Sequence, residues 1–434
     1  MKQLSTKNNT TTILGLSIYY IILTFILLSW NSIDQTPPTG KRMIFLIAFI
    51  VPLFKFKDLF PALLVSFTFI QSNMITPMGY FPNKPIFILS ICIIMLGIYK
   101  KKERRILLQH IKSSKFLIFF ILYTLLINLF NLNTNINGVI SLLFILVFSS
   151  YFINYSTVKN FLAIFPLACI TSSLYFLSNM STALIETSSG AERAFFNDPN
   201  MTALNIGFGI IISFVYIIQE FSLFNNKKLF IIHSVNIILS FVCIMTIASR
   251  GAFIALSLSL ILLYLTSKIN RSNKFFIFLV GILVLFIAYK LGIFNTIIAR
   301  LTEDDVTSGN GRIDIWKVGF SRFLQLDILT ILLGGGDFYA LEVCKKAILG
   351  YSGLLSPHNQ FIWYIFDYGF IGGLLFIIYL MSLLYNSIKA NNRIYILLIY
   401  SMIGFMTLPP ISSSIIYPTF LSFIIAIHNK KTTI

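Results

Sequence analysis

Charge is scarce in this chain. Asp, Glu, Lys and Arg together make up 11% of its 434 residues, where a soluble domain carries about a quarter. That excludes an ordinary solvated globular surface. Acids are scarcer still, 15 against 33 Lys and Arg, for a net charge of +18. There are four cysteines. Cys92, Cys169 and Cys243 fall inside apolar runs and Cys344 in a polar stretch. No two share an oxidising side, so no disulfide is expected. CxxC and HExxH spacings are absent, so neither a protein-bound metal nor a cofactor is expected. No internal repeat is visible, which removes the commonest sign of a transporter built from duplicated halves.

Apolar residues are abundant, at 57% of the chain. They recur in runs from Thr12 to Ile427, most bounded by Lys, Arg, Asn or Pro. Each run approaches the roughly 20 residues that span a bilayer. The fold class is an all-α integral membrane protein, a polytopic bundle of about 14 transmembrane helices. The expected spans are 12–29, 43–54, 59–72, 86–99, 116–131, 138–153, 160–178, 201–219, 229–247, 252–266, 275–289, 360–386, 394–408 and 414–427. Residues Ile13 to Leu28 precede no small-residue cleavage site, so they read as a first span and not a signal peptide. The whole chain, 1–434, reads as one membrane domain.

The loops sort by charge, and basic residues mark the cytoplasmic side. With the N-terminus inside, the cytoplasmic loops collect Lys55, Lys57, the cluster Lys100-Lys101-Lys102-Glu103-Arg104-Arg105, Lys227-Lys228, Lys268, Arg271, Lys274 and Lys430-Lys431. Among the cytoplasmic-loop residues only Asp58, Glu103 and Glu220 are acidic. The outer loops are near neutral. The basicity is therefore a topology signal, and nucleic acid is excluded as a partner. Both termini fall in the cytoplasm of a cell bounded by this inner membrane.

Two outer loops are long, Asn179 to Asn200 and Phe294 to Asn359, and long loops in compact proteins are usually functional. The second, the periplasmic loop 294–359, holds an amphipathic helix. Ile313, Trp316, Phe320, Phe323 and Leu324 form its apolar stripe, with Trp316 expected at headgroup level. Arg312 lies at the stripe's edge, with Lys317 and Arg322 further along. Arg250, in Ser249-Arg250-Gly251, falls between two apolar runs with almost no loop, at the outer surface or in a cavity there. Burying it unpaired costs several kcal/mol; an arginine snorkelling to lipid phosphates is the plainer alternative. Arg193 precedes Asn197-Asp198-Pro199-Asn200, where Asn200 is expected to cap the next span and Asp198 to cap it or orient an arginine. Gly334-Gly335-Gly336-Asp337 reads as a close turn ahead of an anion-binding nest. Pro357-His358-Asn359 leads into a long span. His358 is the one histidine expected on the outer side, and a histidine can act as a base near neutral pH. Asp367, inside a span, either orients a site residue or is simply hydrogen-bonded.

As an ordered set these pieces resemble the O-antigen polymerase and O-antigen ligase superfamily. The matching pieces are Arg193 with Asn197-Asp198-Pro199-Asn200, Ser249-Arg250-Gly251, Gly311-Arg312 before a Trp-containing helix, Gly334 to Gly336, and His358-Asn359 before Gly369 and Gly372-Gly373. The resemblance covers about 190 to 385. It implies inverting glycosyl transfer at the periplasmic face from a glycan on undecaprenyl diphosphate. It implies that Arg250 and Arg312 hold the diphosphate with Arg193 assisting, and that His358 activates or positions the acceptor hydroxyl. Asp198, Asn200, Lys317, Arg322 and Asn359 are the further substrate-binding candidates. The partners implied are the lipid-linked oligosaccharide, membrane lipid and a polysaccharide chain-length regulator. Guanidinium groups suit this chemistry, since a departing diphosphate needs its charge neutralised and Arg pairs with phosphate in bidentate fashion.

A polymerase is preferred to a ligase, because the outer loop is of modest length and the chain is rich in Asn, Ile and Phe. A lipid-linked oligosaccharide flippase or other transporter is the rival from another class, with Asp367 as its one supporting residue.

Overall fold

The computed structural model describes residues 15–25, 114–133, 138–143, 145–146, 157–178, 184–186, 192–194, 199–220, 227–267, 269–301, 312–344, 356–389, 393 and 395–406. The expected spans at 43–54, 59–72, 86–99 and 414–427 lie outside them. In chain order the elements are α1 (Gly15–Phe25), α2 (Lys115–Phe130), α3 (Thr157–Ser178), β1 (Leu184–Glu186), β2 (Glu192–Ala194), α4 (Pro199–Glu220), α5 (Lys227–Ile247), α6 (Arg250–Thr266) and α7 (Arg271–Lys290). There follow α8 (Asn295–Leu301), α9 (Arg312–Phe323), α10 (Ile328–Leu333), α11 (Tyr339–Cys344), α12 (Gln360–Lys389) and α13 (Tyr395–Phe405). Apart from one short antiparallel hairpin, the described elements are helical. Among the described residues three helices are long and apolar enough to cross a membrane: Asn200–Ile218, Lys228–Ile247 and Gln360–Lys389.

Chain contacts divide the protein into two compact units, where the sequence reads as one domain. One comprises Met1–Asn83 and Ser156–Arg300, the other Lys84–Tyr155 and Leu301–Ile434.

In the first unit α3, α4, α5 and α6 pack together. Helices in lipid gain nothing by hiding apolar surface from each other, so small residues and interhelical hydrogen bonds hold them. That is the pattern here. Gly209 on α4 lets Cys169 of α3 approach, since a Cβ there would stand 2.4 Å from its sulfur. Asn236 donates to the Gly209 carbonyl at 3.1 Å and to Ser213 at 2.9 Å. Ser240 donates to Asn236 at 3.0 Å. His233 is buried on α5, with Nδ1 3.0 Å from the Ser213 hydroxyl and its ring stacked on Tyr216. It belongs to the polar seam of this bundle.

In the second unit α12 is the axis, and α2, α10, α11 and α13 pack on it. Phe120 of α2 meets Tyr364 and Phe376 of α12 edge-on and tilted, at centroid distances of 5.3 and 5.6 Å. α12 is broken at Tyr368 (φ −123°, ψ 17°) and Gly369 (φ 66°, ψ −178°). The break is a contact between two backbones. A Cβ on Gly369 would lie 2.2 Å from the Leu332 carbonyl oxygen, and one on Gly334 2.3 Å from the Asp367 carbonyl oxygen. The Gly336 N–H donates to that Asp367 oxygen at 2.7 Å. Tyr123 spans both strands of the contact, with its hydroxyl 3.2 Å from the Leu333 carbonyl and 3.0 Å from that of Tyr368. The glycine run therefore makes a close turn, as its sequence favours.

The apolar stripe of α9 is displaced from its expected position. The buried line is Ile315, Gly319 and Phe323, while Leu324 is exposed. Glycine carries no hydrophobic signal, yet Gly319 is where Phe366 and Cys344 press closest. Ile315, Phe323, Val343, Cys344, Trp363 and Phe366 form one core between α9, α11 and the first half of α12. Cys344, although it falls in a polar stretch of the sequence, is accordingly buried, and burial pushes its thiol up to about 12.

Candidate active site

The expected site residues are divided between the two units, and each group is described by itself. In the first, α5 reverses into α6 through Ala248 and Ser249. Ala248 takes a left-handed conformation (φ 52°). Ser249 is the N-cap of α6, its oxygen accepting from the Ala252 N–H at 3.5 Å. The same hydroxyl donates to Asn200 Oδ1 at 2.8 Å. Asn200 is thus the second residue of α4 and braces the neighbouring cap; Pro199 takes the first helical position, where its missing N–H costs nothing. Arg250, half-buried, is the first residue of α6, and that first turn carries no acid. A cation at the positive end of a helix dipole is disfavoured, so this corner concentrates positive potential suited to an anion. Arg193 lies on β2, paired across the hairpin with Ile185, and β2 packs on α5. Asp198 lies outside the described residues.

In the second unit the segment before α12 is held on both sides of His358. The Trp316 indole donates to the Pro357 carbonyl at 2.7 Å. Asn359, buried, caps α12, with Oδ1 accepting from the N–H groups of Phe361 and Ile362 at 3.0 and 3.2 Å. Between them His358 adopts φ 45°, with its N–H 3.2 Å from Ser356 Oγ. That conformation is uncommon outside glycine, though His, Asn and Asp adopt it more readily than most residues.

α9 runs in the same direction as the first half of α12. Trp316 meets Pro357, Phe320 meets Phe366 at 5.0 Å, and Phe323 meets Phe370 at 5.8 Å. Arg312, first residue of α9, and His358, two residues before α12, therefore lie at the same end of the pair. Both stand at helix N-termini, and two positive dipole ends beside a guanidinium make an anion-receptive corner with a titratable base. Lys317 is exposed one turn along α9. Arg322 lies at the other end, about 15 Å away at 1.5 Å per residue. There its guanidinium is 3.4 Å from the Val343 carbonyl, in the last turn of α11.

Sequence reading missed the polar network beneath this corner. Asp367 is buried, and its carboxylate accepts from the N–H groups of Phe338 (3.1 Å) and Ala340 (2.7 Å) and from the Trp363 indole (2.7 Å). Asp337, also buried, accepts from the Gly138 N–H at 2.7 Å, from Asn128 at 3.4 Å and from the Tyr368 hydroxyl. Burial raises its carboxyl to about 6, with the Gly138 and Asn128 donors pulling it back down. The run Gly336-Asp337 and the pair Asp367-Tyr368 are the only traces of this network in the sequence. Among the described residues no three His, Cys, Asp or Glu side chains cluster as a metal site would require.

Apolar helices of membrane length place this corner, with its guanidinium and histidine, in a membrane protein. Residues 235–377 match the family described as O-antigen ligase, in accord with the resemblance carried by the sequence motifs. The match contains Arg250, Arg312 and His358 and stops short of Arg193, Asp198 and Asn200. No curated protein matches the chain.

Proposed function

We propose that the protein is an O-antigen polymerase, joining repeat units carried on undecaprenyl diphosphate at the periplasmic face of the inner membrane. The observation that carries this reading is the shared end of α9 and α12, where Arg312 and His358 are held by the Trp316–Pro357 hydrogen bond. In the reaction an acceptor sugar hydroxyl attacks the anomeric carbon of the donor. The bond from that carbon to the diphosphate oxygen breaks, and configuration inverts. His358 takes the hydroxyl proton or orients the hydroxyl. Guanidinium groups, Arg312 and Arg250 with Arg193 assisting, neutralise the departing diphosphate. The diphosphate–sugar bond supplies the energy, so no nucleotide is needed. Removing one such arginine costs about 2–4 kcal/mol of transition-state stabilisation, by analogy with a lost oxyanion donor.

The family description favours a second reading, a ligase that transfers the finished glycan to lipid A core. A strain deleted for the gene separates the two. A single repeat left on lipid A core is the expected result and means polymerase. Bare core with polymer accumulating on undecaprenyl diphosphate means ligase and overturns the proposal.

A further inference from the structure

α12 does not run straight. At Tyr368 and Gly369 it folds back, so that Phe361 and Tyr364 lie 5.8 and 4.4 Å from Phe376. A Cβ on Gly373 would stand 2.5 Å from Ile365 Cγ1. Gln360, the first residue of the helix, therefore lies alongside the second half of α12 and not beyond it. Its side chain is fully buried. Tyr364 stands one turn along the same face, and its ring meets Phe376 and, at 5.3 Å, Phe120 of α2.

In that aromatic setting both ends of the Gln360 amide, Oε1 and Nε2, have no hydrogen-bond partner among the described residues. Leaving a buried polar group so is costly, and native proteins do it rarely. Methionine, of the same length and helix propensity, would fill the space without that cost. Packing thus gives no reason for a glutamine here, and a ligand does. The neighbours in the chain indicate where that ligand sits. His358, two residues before, and Phe361, the next residue, are half-buried. The amide thus lies one side chain beneath the surface that His358 occupies, and a change of rotamer suffices to bring it there. Asn359, between them, is already engaged in capping.

We infer that Gln360 is a specificity-determining contact to the acceptor sugar, the one whose hydroxyl meets His358. The inference rests on the reading of His358 given above. A carboxamide carries two N–H donors and an acceptor oxygen. A diphosphate answers only the donors and repels the oxygen. A pyranose answers both ends, with two adjacent hydroxyls or with an acetamido group. A site built to hydrogen-bond such groups rejects a sugar lacking them far more strongly than an apolar pocket rejects an added methylene. Gln360 takes no part in bond making; it selects the sugar presented to His358.

The test compares the full-length parent with Gln360→Met and, as a second variant, Gln360→Leu, all purified in detergent. Thermal shift is read while two probes are titrated: lipid-linked glycan extracted from the deletion strain, and undecaprenyl diphosphate without sugar. Without either probe the variants should melt at or above the parent temperature, since an orphaned amide is gone. They should bind the sugar-free lipid as the parent does, and the lipid-linked glycan at least about tenfold more weakly. Equal affinity of parent and variants for the lipid-linked glycan overturns the inference and leaves the proposed reaction standing. A parent that binds the glycan no better than the bare lipid overturns that reaction and the inference with it. Variants that melt well below the parent show that the amide has a partner in the folded protein, a buried water included, and overturn the inference alone.

Discussion

Replacing Gly369 with alanine tests the contact on which the second unit is built. Its backbone (φ 66°, ψ −178°) lies in a region that is essentially glycine's alone; a side chain there costs about 1–3 kcal/mol. The new Cβ would also stand 2.2 Å from the Leu332 oxygen and 2.6 Å from the Leu333 nitrogen. These are backbone atoms, which cannot swing aside as a side chain would. Overpacking of that kind adds about 1–3 kcal/mol. The combined loss, about 2–6 kcal/mol, is a large part of a typical folding free energy and corresponds to a drop in Tm of about 10 °C. Thermal unfolding in detergent, read by tryptophan fluorescence, measures it. Gly281→Ala is the control. A Cβ there meets nothing within 4 Å, so a helix-interior alanine should match the parent or gain up to about 1 kcal/mol. A Gly369→Ala protein melting within about 2 °C of the parent would refute the reasoning.

Asp337 should make stability depend on pH. Its folded carboxyl is raised to about 6, so between about pH 4 and pH 6 the folded state binds more protons than the unfolded. Stability should fall as pH rises through that window, by on the order of 3 kcal/mol, and Tm against pH in Asp337→Asn should lack this slope. Cys344, buried with its thiol pushed up to about 12, should resist a membrane-impermeant thiol reagent until the protein is denatured. Mass spectrometry of the labelled peptide reads the outcome.

The sequence disclosed most where physics acts on composition. Apolar runs located the membrane-length helices at 200–218, 228–247 and 360–389, because burial in lipid demands them. The helix at Arg312 was legible from its period, and the Asn-Pro step before α4 from its turn chemistry. What stayed hidden depends on partners far apart in the chain. Gly319 broke the apparent stripe of α9 although it is the residue of closest packing. Trp316 reads as an interfacial anchor by type, yet its indole is taken by Pro357, 41 residues away. Asn359 reads as a candidate ligand, and its oxygen is engaged in capping α12. Asp367 reads as orienting a site residue or as simply hydrogen-bonded; the fold supplies the three N–H donors around it, from Phe338, Ala340 and Trp363. α12 reads as one continuous helix, and nothing in its apolar pattern marks the bend at Tyr368–Gly369 that brings Phe361 and Tyr364 to 5.8 and 4.4 Å from Phe376.

The most direct measurement is the length of surface polysaccharide in the deletion strain complemented with wild type, Arg312→Ala or His358→Asn. Asparagine tolerates the backbone of His358 and caps no proton, so it separates the imidazole's chemistry from its conformation. The account predicts folded protein at wild-type abundance in the membrane, with long-chain polymer only in the wild-type lane. Normal banding from His358→Asn and Arg312→Ala would contradict it.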